Sequence, residues 1–73
     1  MFLIKERVAP GGRRFALIYM TFDGSFEGRI YTHGEDCKSG ELAKCCTENY
    51  EICAITETLP RTQVLVDEEL GLL

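Results

Sequence analysis

The run Phe15-Ala16-Leu17-Ile18-Tyr19-Met20, followed by Thr21 and Phe22, constrains this chain more than any other stretch of its sequence. Its aromatic and β-branched content favours a strand over a helix. An extended chain turns successive side chains to opposite faces, so Phe15, Leu17 and Tyr19 share one face and Ala16, Ile18, Met20 and Phe22 the other. A strand half-exposed to water alternates apolar with polar. This one does not alternate, so each of its faces needs a cover.

The neighbouring segments extend the pattern into a sheet. Phe2 to Val8 reads as a first strand, with Phe2, Ile4 and Val8 on one side and Leu3, Lys5 and Arg7 on the other. Ala9-Pro10-Gly11-Gly12 is turn chemistry, and Asp23-Gly24-Ser25 supports a tight hairpin into a third strand, Phe26 to Thr32. After a loop at His33-Gly34-Glu35-Asp36, Leu42, Cys45, Cys46 and Asn49 recur at helical spacing, which predicts a short helix over 38–48. Tyr50 to Thr56 returns to strand composition, Leu59-Pro60-Arg61-Thr62 reads as a proline break, and Gln63 to Val66 reads as a last short strand. The acidic tail from Asp67, interrupted at Gly71, has room for about one helical turn. The expected fold is α+β, β-β-β-α-β-β, an antiparallel sheet of four to five strands with one helix on a face.

At 73 residues, 1–73 is expected to be a single domain, and chains of this size bury little apolar surface without disulfides, a metal or association. The four cysteines, Cys37, Cys45, Cys46 and Cys53, therefore bear on the fold. Met1-Phe2-Leu3-Ile4-Lys5 turns charged after three apolar residues, too soon for the apolar core of a signal peptide, and no long apolar span appears. The expectation is a cytoplasmic chain with reduced thiols.

Cysteine and histidine together suggest zinc, but seven residues separate Cys37 from Cys45 and six separate Cys46 from Cys53, unlike the short spacings of structural zinc sites. Adjacent Cys45 and Cys46 point about 100° apart on a helix. The favoured reading makes the cysteines small apolar core residues, with no cofactor. His33 and Cys37 resemble a base and a nucleophile, yet nothing identifies a third group to orient them, so no enzymatic activity is expected.

Net charge is −4, divided unevenly. Lys5, Arg7, Arg13 and Arg14 stand against Glu6 in residues 1–16, while the remainder carries four basic and eleven acidic residues. An acidic body disfavours direct binding to nucleic acid and favours a basic protein partner. Carboxylates at Glu27, Glu35, Asp36, Asp67, Glu68 and Glu69, together with apolar Leu17, Tyr19 and Met20, are the candidate partner-binding residues.

Small size, acidity, a sheet with one helix and the lack of a catalytic set give the chain a format similar to that of small phage and mobile-element inhibitors, anti-CRISPR proteins among them. The likeness is one of outline, with no shared motif. It implies a non-enzymatic inhibitor that occupies the surface of a larger, nucleic-acid-handling host complex. The alternative is a structural or regulatory homodimer or a subunit of a larger assembly, and a small zinc- or thiol-dependent protein is the third reading.

Overall fold

The computed structural model describes residues 1–32 and 50–73. Four strands, β1 (Phe2–Val8), β2 (Arg14–Met20), β3 (Phe26–Thr32) and β4 (Glu51–Thr56), form an antiparallel sheet in the order β1-β2-β3-β4. Among the described residues one helix, α1 (Leu59–Leu70), packs on it, so the fold is α+β as the residue pattern implied. The turn after β1 closes with the Ala9 N–H donating to the Arg14 carbonyl at 2.9 Å, and the turn after β2 with the Thr21 N–H donating to the Ser25 carbonyl at 2.8 Å. The helix expected over 38–48 lies outside the described residues.

The C-terminal segment departs from expectation. Gln63 to Val66 is not a fifth strand but the middle of α1, and Leu59-Pro60 is the first turn of that helix, not a break. Thr58, with extended φ and ψ, caps the start by accepting from the Arg61 N–H. Proline suits the first turn, where a missing N–H costs no helical hydrogen bond. Gly71 ends the helix at φ 77°, a left-handed conformation that glycine adopts without strain; its N–H donates to the Glu68 carbonyl and that of Leu72 to the Asp67 carbonyl. The acidic tail is therefore the last turn of a 12-residue helix.

Packing explains why helix prevails over the strand preference of Val64, Leu65 and Val66. Leu59, Thr62, Val66 and Leu70 recur at helical spacing and meet the sheet, where Val66 and Leu70 bury against Ala16, Ile18 and Ile30. Gly28 lets the helix come close: a Cβ there would lie 2.5 Å from Val66 Cγ2 and 3.3 Å from Thr62 Cγ2. Thr62 is fully buried, with its hydroxyl 3.1 Å from the Phe26 carbonyl and 2.7 Å from Thr56 Oγ1. At the far end of the helix Arg7 grips Asp67 through two hydrogen bonds, at 2.8 and 3.1 Å.

Both faces of β2 are buried, as its uninterrupted apolar run requires. On the face away from α1, Phe15, Leu17 and Tyr31 form a second cluster, with Tyr19 packed beside it. The Phe15 and Tyr31 rings stack at 5.2 Å.

Candidate functional site

Cross-strand partners share a face of the sheet, so register assigns each side chain. Arg29, opposite Leu17, and Glu27, opposite Tyr19, lie on the face away from the helix. There Arg29 is held between two rings, its guanidinium 4.7 Å from the Tyr19 centroid and 4.4 Å from that of Tyr50, and paired with Glu27. Burial works against its charge, but the hydrogen bonds to Glu27 and Tyr31 prevail and hold its pKa above the ordinary value. This arginine is thus fully engaged within the chain.

The expected binding residues disperse. Leu17 has no exposed surface and is core. Asp67 is buried and answered by Arg7, Glu69 pairs with Arg14 at 3.1 Å, and Glu27 pairs with Arg29. Glu68 is exposed, and Tyr19 and Met20 are half-buried. Glu35 and Asp36 lie outside the described residues, as do His33, Cys37, Cys45 and Cys46. Three of the four described candidate carboxylates are therefore engaged by arginines of the chain. Among the described residues, no three histidine, cysteine or acidic side chains come together as a metal site.

Cys53 packs against the helix-side core, its Sγ donating to the Leu65 carbonyl at 3.6 Å. Burial, with a lesser contribution from nearby Glu69, pushes its thiol pKa up, which keeps it protonated and slow to react.

Apolar exposure concentrates elsewhere. At one corner of the sheet Phe2 is opposite Met20, and Phe22 follows Met20 by two residues, in the tight turn held by Thr21 and Ser25. Phe2 is 61% exposed and Phe22 87%, with Leu3 and Ile4 also exposed beside them. Around the turn Thr21 donates to Asp23, which also accepts from the Ser25 N–H at 3.2 Å. The Thr21 bond first, then that of Ser25, lowers the Asp23 pKa below its ordinary 3.8. The turn that presents Phe22 is thus built by its own side chains.

Of this corner, the sequence singled out Met20 and the uncovered Phe22; it did not single out Phe2, Leu3 and Ile4, although a signal existed. Three consecutive apolar residues, Phe2-Leu3-Ile4, cannot all face one side of a strand, and an aromatic inside a hairpin turn points away from any core. No helix among the described residues is long and apolar enough to cross a membrane. A scan against protein-family models, a search of the curated proteins and a search of the solved structures each return no match to this chain.

Proposed function

We propose that this chain is a non-enzymatic binding protein, an inhibitor that occupies the surface of a larger partner with a basic face and seats the corner formed by Phe2, Leu3, Ile4 and Phe22 against it. The observation that carries this reading is the exposure of Phe2 and Phe22 at one end of the sheet. Aromatic residues, phenylalanine included, are enriched in protein interfaces, where a few well-buried side chains carry most of the binding energy. Net charge of −4 supplies long-range attraction to a basic surface, while three of the described carboxylates are already paired within the chain. Charge therefore steers and the apolar corner binds.

The test compares tagged wild-type protein with Phe2→Asp and Phe22→Asp in the source cells, after in-cell crosslinking. Both variants change exposed side chains and should fold normally. Partner recovery is expected to fall about tenfold or more. Equal recovery by wild type and by both variants would refute the assignment of the corner. Joint replacement of His33 and Cys37 by alanine should leave activity intact; a loss beyond about a hundredfold in a folded variant would argue for catalysis instead.

A second reading, a structural or regulatory homodimer, is favoured by a separate observation. The outer strand β4 exposes Ile52 and Ile55, at 54% and 57%.

A further inference from the structure

We infer that β4 pairs antiparallel with β4 of a second copy, about a two-fold axis between Cys53 and Ala54. The inference rests on the homodimer reading and names the surface that would serve it.

β4 carries an irregularity in its pairing with β3. Gly28 is opposite Ala54 and Arg29 is opposite Ile52, which leaves Cys53 without a cross-strand partner. That extra residue changes the facing of the strand. Glu51, opposite Ile30, and Thr56, opposite Phe26 and bonded to Thr62, lie on the helix side. Ala54, opposite Gly28, is on the same side, and Cys53 packs into the helix-side core. Ile52 and Ile55, opposite Arg29 and Glu27, lie on the other side. From Glu51 to Thr56 the facing therefore reads the same in both directions.

Regular alternation cannot do this over an even number of residues. A two-fold axis perpendicular to a sheet brings like faces together, and in an isologous contact residue i meets j while j meets i. The axis between Cys53 and Ala54 sets Ile52 against the second copy's Ile55, Cys53 against its Ala54 and Glu51 against its Thr56. Every pair then matches in face. Sliding the strand by one residue in either direction opposes residues of opposite faces. The same register opposes no like charges and gathers Ile52 and Ile55 of both copies into one apolar cluster.

Among the described residues, the surroundings of β4 leave room for an added strand. Beside β4 runs an open groove of about 540 Å³, lined along the strand by Cys53, Ala54, Ile55 and Thr56 and on the helix by Arg61 and Leu65. The side chains that a second β4 would place on the helix side are small or polar, so the groove can receive them. Bulges commonly protect an edge by breaking its ladder. Here the irregular residue also confers the symmetry that self-pairing needs.

The experiment is sedimentation equilibrium of the purified chain under reducing conditions, from about 1 µM to about 1 mM, the range of small transient interfaces. Wild type is expected to move from 8.3 kDa toward twice that mass with rising concentration. Ile55→Lys, an exposed change, should weaken association about tenfold or more with the far-UV spectrum unchanged, whereas Ile4→Lys on the opposite edge should leave it intact. Wild type that remains monomeric throughout overturns both the inference and the homodimer reading. A dimer insensitive to Ile55→Lys, a dimer abolished by Ile4→Lys, or growth past the dimer overturns the β4 assignment alone.

Discussion

The two outer strands of the sheet share an architecture and differ in chemistry. Among the described residues each is paired on one side only, and each contains one residue that slips the register, Ile4 in β1 and Cys53 in β4. Place β1 against its own copy in the register equivalent to that of β4, and Phe2 meets Arg7, Leu3 meets Glu6 and Ile4 meets Lys5. Each contact would desolvate a charge against an apolar side chain, which is costly. In β4 the same operation sets isoleucine on isoleucine. Charged residues defend the first edge against self-pairing. In the proposed arrangement the occupant differs with the edge: β4 receives its own copy, while the apolar start of β1, with Phe22, receives a different partner.

This contrast depends on a helix that packs on β4, β3 and β2 and reaches β1, and the strongest perturbation acts where it meets β3. Gly28→Val would drive a side chain into Val66 and Thr62 where the helix lies on β3. A loss of about 3 kcal/mol or more is expected by chemical denaturation, a large part of the stability of so small a domain. A change below about 1 kcal/mol would mean that the helix does not pack there as closely as described.

A weaker and more selective break is Asp67→Ala. It leaves Arg7, which is 30% exposed along its side chain, without its partner on α1. Partial exposure lets water recover some of the loss, so destabilisation of about 1–2 kcal/mol is expected, below the cost for a fully buried pair. The effect should fall on one side. Amide exchange should quicken in β1 and remain nearly unchanged in β4, which is tied to the helix through Thr56 and Thr62. Equal acceleration in both strands would contradict separate anchoring of the edges.

The sheet was legible in the residues because its information is local. Each strand carries its own apolar content, and the turns at Pro10-Gly11-Gly12 and Asp23-Gly24-Ser25 separate them. The helix was misread because its deciding contacts are distant. Val64, Leu65 and Val66 look like strand residues until Gly28, 38 positions before Val66, provides a surface into which a helical face fits. Thr58 and Gly71 were local signs of the helix ends that composition had masked. For the candidate surfaces, charge was a poor guide: Asp67, Glu69 and Glu27 look available in sequence and are engaged by arginines in the fold. The facing symmetry of β4 was not readable at all, since it arises from a register slip against β3.

The smallest expected effect concerns the turn that presents Phe22. Asp23 has a lowered pKa in the fold, so its contribution to stability is fully present above its ordinary 3.8 and is lost as pH falls through the folded value. In an acid titration followed by NMR, the Ser25 amide should shift with a midpoint below 3.8, and Asp23→Asn should abolish that transition while leaving β4 signals unmoved. A midpoint at or above 3.8 would remove the hydrogen-bonded turn from the account.

Residue-resolved hydrogen exchange at two protein concentrations tests most directly whether the two edges have different occupants. Raising the concentration from about 10 µM to about 1 mM should slow exchange in β4 and leave β1 unchanged, because self-pairing covers only the former. Concentration-dependent protection of β1, or none in either strand, would contradict the claim.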